Sequence, residues 1–206
     1  MDQTSRRQAM AIIDRGLASA AGLTPAKAAA YRAAAEAAID AMGPAALKRW
    51  NENVESIVFY PDTESVTRFV HGVRPDLADV TGIRGVCMPD RTHPHICRLH
   101  LNGGDDSGDA NPWKTSDTYA HEFGHAIDWA SGMVGPTSMS KAWRDVSEDE
   151  KREIRQRLGV PDLGHADDFA NAAVMAWNYP EDTRRHYPEC WAFWSGHGLA
   201  SRFAAR

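Results

Sequence analysis

Two histidines and a glutamate stand together in the run His121-Glu122-Phe123-Gly124-His125. Residues four apart share one face of a helix, so the imidazoles of His121 and His125 are expected to point the same way. Two imidazoles at this spacing can bind one zinc ion at ~2.0–2.1 Å each. Glu122 follows the first histidine and is positioned to take a proton from a zinc-bound water, whose pKa falls to ~7. The spacing therefore predicts a zinc site with His121 and His125 as ligands and Glu122 as general base.

The residues around this pair distinguish it from two histidines that meet by chance on a solvated helix. They are small or apolar: Phe123, Gly124, Ala126, Ile127 and Ala130. A glycine in a helix costs ~1 kcal/mol relative to alanine, so a close packing neighbour is the expected reason for Gly124. These neighbours indicate a packed helix with a metal-binding pair.

A catalytic zinc site needs a third protein ligand and an open fourth position. The glycine and distal ligand of the metzincin pattern are absent, because Asp128 and Ser131 occupy those positions. The third ligand must therefore come from farther along the chain, where Asp167 and Asp168 stand in a predicted helix. They project ~100° apart around that helix, so both cannot face the metal equally. Asp128 has two possible roles: it orients a histidine as a hydrogen-bond acceptor, or it is an exposed carboxylate.

The run from His121 to Asp128, HEFGHAID, resembles the catalytic helix of the anthrax lethal factor family and the related Pro-Pro endopeptidases. Those enzymes have a later helix patterned E-x-F-A-E-A, whose first glutamate binds zinc, and DDFANA at 167–172 resembles it in register. PECWAF at 188–193 resembles the short closing helix of the family. The resemblance extends from about residue 56 to the C-terminus through sparse motifs. It implies a gluzincin-like HExxH metallopeptidase that binds one zinc ion per chain, uses Asp167 as third ligand and cleaves a peptide or protein.

Three positions depart from the family pattern. Asp167 is one methylene shorter than the family's glutamate, so its helix must approach the metal more closely. Asn171 replaces the family's second glutamate; it can hydrogen-bond a ligand but supplies no charge. The family's catalytic tyrosine, seven residues before the ligand, is Val160 here. The resemblance therefore leaves stabilisation of the transition state unassigned.

His165 is the candidate for this missing role and is taken as a second catalytic residue. It lies two residues before Asp167 and could donate a hydrogen bond to a developing oxyanion. An exposed histidine near a helix start is the alternative interpretation. Tyr179, His186 and Tyr187 are further candidates for the same role.

The elements that position these residues are predicted from helix caps and apolar periodicity. Helices are expected over 24–42, 47–54, 62–70, 116–132, 148–158, 162–177 and 188–195, and strands over 56–60, 83–88 and 95–101. Thr24 and Pro25 form a good helix start. Ser147 and Glu150 form a capping box, and Gly159 ends the helix that follows it.

The predicted fold is α+β, with a small twisted sheet over the zinc-binding helix and a mostly helical lower subdomain. Residues 1–54 are expected to form a helical N-terminal extension, and 55–206 the metallopeptidase domain. In the resembling fold, a strand such as 95–101 forms the upper edge of the cleft, where an extended peptide adds as a further strand. His95 and His100 are then expected to face solvent or the cleft.

Composition excludes several other classes of function. The 206-residue chain has a net charge of -5 and no basic run, so nucleic acid is not an expected partner. It has no apolar stretch long enough to span a membrane, and Asp14 and Arg15 interrupt the only run that resembles a signal peptide. The acidic segment 102–112 is interpreted as a solvated loop, because its spacing does not match a calcium loop. Neither the compartment nor the oligomeric state is indicated.

The remaining unusual side chains are interpreted as structural. Three cysteines, Cys87, Cys97 and Cys190, give no disulfide framework. Cys87 and Cys97 flank the predicted hairpin and are interpreted as reduced residues that could face each other. The tryptophans at 177, 191 and 194 fall at spacings typical of a core.

Two alternatives to a peptidase remain open. One is a non-catalytic zinc-binding module, structural or associated with a toxin or phage, which the missing tyrosine favours. The intact Glu122 argues against it, and a purely structural zinc site usually contains cysteine. The other is a zinc hydrolase that cleaves a non-peptide amide.

Overall fold

The computed structural model describes residues 3–80, 82–89, 97–102, 115–128 and 137–201. The helices in these segments are α1 (Gln3–Ala18), α2 (Pro25–Ala41), α3 (Pro44–Asn53), α4 (Thr63–Val73), α5 (Thr115–Asp128), α6 (Lys141–Arg144), α7 (Glu148–Leu158), α8 (His165–Asn178), α9 (Pro180–His186) and α10 (Pro188–Gly196). The strands are β1 (Val54–Tyr60), β2 (Gly85–Pro89) and β3 (Cys97–Asn102). This mostly helical architecture with one small mixed sheet confirms the α+β class. His95, Ser131 and the acidic segment 103–112 lie outside the described residues.

Helix ends follow the local sequence signals. Lys27 N–H donates to the Thr24 hydroxyl at 3.2 Å, with Pro25 in the first turn of α2. Glu150 N–H donates to the Ser147 hydroxyl at 3.4 Å at the start of α7. Gly159, with φ of 66°, ends α7 in the left-handed conformation. These ends confirm the predicted starts of both helices and the end of α7.

The predicted capping box at Ser147 is completed by a different glutamate. The Glu150 carboxylate accepts hydrogen bonds from the backbone N–H groups of Glu189 and Cys190, at 3.1 and 2.8 Å. In return, Glu189 accepts from Ser147 N–H at 2.9 Å. The expectation that Glu150 reaches back to its own helix is therefore wrong. The first turn of α10 lies beside α7, and the two helices satisfy each other's free N–H groups.

The three strands occur in the order β1-β3-β2. β3 pairs in parallel with β1, with Ile57 opposite Leu99, and antiparallel with β2, with Cys87 opposite Leu99. Because β3 has a partner on each side, the expectation that this strand offers a free edge to a substrate is wrong. Within the described sheet, β2 is the outer strand next to α5.

His100 on β3 is buried, which corrects the expectation that it faces solvent or the cleft. Its ring stacks on Phe69 with centroids 4.1 Å apart. The Tyr60 hydroxyl and His100 Nδ1 form a hydrogen bond with their atoms 3.0 Å apart. Burial, with the charge of Arg98 adding to it, lowers the pKa of His100 to about 4. The residue is therefore a neutral packing element between the sheet and α4.

The three N-terminal helices share one hydrophobic core with the rest of the chain. Trp50 packs edge-on against Phe123 of α5 with ring centroids 5.2 Å apart. The Asn53 side-chain amide donates to the Ala126 carbonyl at 2.8 Å. Helix α3 ends at Asn53 and β1 begins at Val54, so Val54 lies in a strand and not in the predicted helix 47–54. The division of the chain into 1–54 and 55–206 stays a prediction.

The residues interpreted as structural lie in packed positions, except Trp191, which is only half-buried. Trp177 and Trp194 are buried, with ring centroids 5.6 Å apart in an edge-to-face contact. All three cysteines are free; Cys97 and Cys190 are buried and Cys87 is half-buried. None of the helices that the structure describes is long and apolar enough to cross a membrane.

Candidate metal centre

His121 and His125 on α5 meet Asp167, in the first turn of α8. One ligand atom from each residue lies within 4.8 Å of the others. The two Nε2 atoms are 3.1 Å apart, and each is 3.8 Å from Asp167 Oδ1. Donor atoms that bind one tetrahedral zinc ion at ~2.0–2.1 Å are separated by ~3.3 Å. The three residues therefore form a group that could hold a single metal ion.

Close packing of α5 on α8 brings these residues together. The two helices run in opposite directions, since His121 contacts Asn171 whereas Asp117 contacts Asn178. A Cβ at Gly124 would lie 2.8 Å from the Ala173 Cβ. Only glycine allows this approach, which explains the residue within the motif. The short side chain of Asp167 can therefore reach the histidines.

The structure separates the two candidate aspartates. Asp167 faces the histidines, and its carboxyl group has a raised pKa because of burial and the neighbouring charge of Asp168. Asp168 points elsewhere, and its Oδ1 lies 2.5 Å from Arg155 Nη1. The side chains of Asp168 and Arg155 are only 4% and 12% exposed. Asp168 is thus committed to a buried ion pair outside the metal-binding cluster.

Both histidines are held in the form that binds metal. Burial lowers the pKa of His121 well below its ordinary value, and the charge of His125 lowers it further. Burial lowers the pKa of His125 to about 4. His121 Nδ1–H donates to the Asn171 side-chain carbonyl at 3.1 Å. This hydrogen bond fixes the tautomer whose Nε2 lone pair faces the cluster.

Glu122 lies between α5 and β2 and is 6% exposed. Burial raises the pKa of Glu122 to about 8, and the charge of Asp167 adds to this effect. A hydrogen bond from Cys87 N–H opposes it. The other oxygen, Oε2, is buried without a hydrogen-bond partner in the described part of the chain. A basic carboxylate with an open lone pair therefore lies next to the cluster.

A cleft of about 260 Å³ opens beside these groups. It is lined by residues 82–85, 159–161 and 163. From α5 and α8 it is lined by Thr118, His121, Glu122, Asp167 and Asn171. Arg84, Thr118 and Asn171 supply its hydrogen-bond donors. Ile83, Val160, Pro161 and Leu163 supply its apolar surface.

The candidates for the missing tyrosine lie outside this lining. His165 opens α8; its carbonyl accepts from Trp143 Nε1 at 3.3 Å, and its Nδ1 is buried. The Tyr179 hydroxyl donates to Asp117 at 3.1 Å. His186 is exposed, and Tyr187 is buried. These placements give no support to an oxyanion-binding role for the four residues.

Asp128 has a role that neither interpretation anticipated. It is fully buried, so it is not an exposed carboxylate. Its Oδ1 accepts from Ser138 N–H at 2.6 Å, and its Oδ2 accepts from the Ser138 hydroxyl at 2.7 Å. Burial raises the pKa of Asp128 to about 6, although the Ser138 hydrogen bonds oppose the shift. The residue ties the end of α5 to the short 3-10 turn Thr137–Met139.

Gly85 and the donors Arg84 and Thr118 were not identified from the sequence as parts of the site. A glycine at the start of a predicted strand is a recognised signal of close backbone approach, and Gly85 could have been found on that basis. Arg84 and Thr118 have no comparable signal, because their position depends on how the segment before β2 meets α5.

No protein-family model, curated protein or solved structure matches this chain. The resemblance to the lethal factor family therefore stays a prediction.

Proposed function

We propose that this protein is a zinc-dependent endopeptidase, with His121, His125 and Asp167 as zinc ligands and Glu122 as general base. The observation that carries the proposal is the meeting of three metal-ligating atoms within 4.8 Å beside a buried carboxyl group that has one unpartnered oxygen. The cluster and the carboxyl group both line one cleft.

The donor set supports zinc in a catalytic site. Two imidazole nitrogens and one carboxylate oxygen are typical of catalytic zinc sites, which keep a position open. Zinc bound there would supply Lewis acidity that lowers the pKa of a water molecule to ~7. The half-buried cluster lies at the cleft, so a substrate can reach it.

Glu122 would move the proton. A positive charge at the cluster favours the ionised carboxylate and lowers the pKa of Glu122 from its raised value. The ionised group can then accept a proton from the attacking water and pass it to the amide nitrogen that leaves. The water oxygen forms a bond to the carbonyl carbon as the carbon–nitrogen bond breaks, so the reaction is hydrolysis.

The cleft supports a peptide as substrate. It has an apolar surface with a few hydrogen-bond donors, which is the usual composition of a site that binds an organic ligand. Residues 82–85, 159–161 and 163 also line the cleft, so a bound peptide would contact both of these segments. A small non-peptide amide is the alternative substrate, and a non-catalytic metal site is the alternative function.

Metal analysis and peptide digestion test the proposal together. Purified protein is expected to contain about one zinc ion per chain and to cleave members of a peptide library. Glu122→Gln should keep zinc and lose cleavage by a factor on the order of 10²–10⁴. Glu52→Gln, at an exposed position on α3, is the matched control and should remain active.

Each contrary result has a distinct meaning. Absence of metal, with no uptake on adding zinc, contradicts the metal site. Bound zinc without cleavage of any peptide or small amide supports the non-catalytic alternative. Cleavage of small amides alone corrects the substrate class. A Glu122→Gln variant as fast as wild type shows that Glu122 is not the base.

A further inference from the structure

Strand β2 meets the carboxyl group of Glu122 at two positions. A Cβ at Gly85 would lie 2.6 Å from Glu122 Cγ and 2.8 Å from its Oε1. Two residues farther along, the backbone N–H of Cys87 lies close enough to the same carboxyl group to lower its pKa. The space at Gly85 and the backbone of Cys87 therefore both lie beside the carboxyl group of Glu122.

The position of the Glu122 carboxyl group depends on its contact with β2. The residue is almost fully buried, and its Oε2 has no partner in the described residues. A glutamate has three side-chain torsions, and a general base must be held within hydrogen-bond reach of the proton it takes. The contact with β2 therefore decides where the carboxyl group lies.

We propose that β2 is the positioning element for Glu122. The Cys87 N–H fixes one carboxyl oxygen, and the absence of a side chain at Gly85 leaves the space that the carboxyl group occupies. Gly85 and Cys87 act through Glu122 and are positioning residues. The packing of β2 against Glu122 does not depend on any activity, whereas its role in catalysis rests on the proposed function.

Thermal denaturation of the metal-free protein tests the packing without any need for activity. Gly85→Ala is expected to lower Tm by about 3–10 °C, because the new methyl group overlaps Glu122. In a Glu122→Ala background the same change should lower Tm by no more than about 1 °C, because the overlapping atoms are gone. Gly72→Ala is the control, since a Cβ there meets nothing within 4 Å. If Gly85→Ala lowered Tm equally in the wild-type and Glu122→Ala backgrounds, the proposal would be wrong.

Kinetics of the zinc-loaded protein test the positioning role. Gly85→Ala should keep zinc and lower kcat by about 10–100-fold, the order expected for a displaced catalytic group, with little change in KM. The double variant Gly85→Ala, Glu122→Gln should be no slower than Glu122→Gln alone, because both changes act on one carboxyl group. If the losses of kcat from the two changes multiply in the double variant, or if Gly85→Ala is fully active, Gly85 does not position Glu122. A wild type that binds zinc and cleaves nothing refutes the proposed function, while the denaturation experiment still decides the packing.

Discussion

Asp167 and Asp168 are adjacent, yet replacing each with alanine is expected to damage different properties. In the described residues, Asp167 supplies the only carboxylate of the proposed metal-binding group His121, His125 and Asp167. Its loss should weaken zinc binding by more than the ~10–100-fold that follows loss of a hydrogen-bonding partner of a ligand. The metal-free protein should keep its Tm, because burial already makes the Asp167 charge unfavourable.

Asp168→Ala should leave zinc affinity unchanged and lower stability instead. The change leaves Arg155, 12% exposed, without its partner at 2.5 Å. Breaking a buried pair costs ~3–5 kcal/mol, and the lower figure applies because Asp162 also lies 3.2 Å from Arg155. A loss of about 3 kcal/mol corresponds to a Tm lower by about 6–12 °C for a protein of this size.

Two measurements separate these outcomes. A competition titration with a chromophoric chelator gives zinc affinity, and circular dichroism in the presence of a chelator gives the Tm of the metal-free protein. Asp162→Ala is a control, since Asp162 is 66% exposed and should affect neither quantity strongly. Weaker zinc binding in Asp168→Ala than in Asp167→Ala would refute the ligand assignment. If the two variants lost zinc affinity and Tm equally, neither the ligand role of Asp167 nor the ion-pair role of Asp168 would hold.

Three further predictions concern the surroundings of the site. Asn171→Leu removes the acceptor that orients His121 and should weaken zinc binding by ~10–100-fold in the same titration; unchanged affinity would show that the hydrogen bond is dispensable. A chain that begins at Val54 loses Trp50 from the core and is expected to aggregate or unfold; a soluble, folded fragment that binds zinc would contradict this. The third prediction is that stability depends on pH through Asp128. Folding raises the pKa of Asp128 from 3.8 to about 6. Its contribution to stability is therefore fully present below pH 3.8 and is lost as pH rises through 6. Wild type should therefore lose about 3 kcal/mol of unfolding free energy relative to Asp128→Asn as pH rises over that range. Urea denaturation from about pH 4 to 7 measures this difference, and a difference that stays constant would contradict the prediction.

The sequence predicted what depends on neighbouring residues along the chain. The i, i+4 spacing of His121 and His125 follows from helix geometry alone. The start of α2 follows from Thr24 and Pro25, whose contribution is local. The need for a close neighbour at Gly124 also followed from the cost of glycine in a helix, although the identity of that neighbour did not.

The points that the sequence left open or predicted wrongly concern contacts between distant segments. The choice between Asp167 and Asp168 depends on Arg155, which takes one of them into an ion pair. The central place of β3 depends on its parallel pairing with β1, which is more than thirty residues away in the sequence. Similarly, Ser138 takes the carboxylate of Asp128 by approaching from another segment. None of these partners has a spacing that can be recognised in the sequence.

The contact between α5 and α8 at Gly124 has a consequence for the entropy of metal binding. Gly124 meets Ala170 and Ala173, and none of the three has a side chain with rotamers to fix. The separation of the helices at this point is therefore set by backbone and methyl groups, which offer no alternative packing. Asp167, one turn before Ala170, is held near the histidines before a metal ion arrives. The proposed zinc ion would then need to order only the ligand side chains, and little of its binding free energy would go into bringing the two helices together.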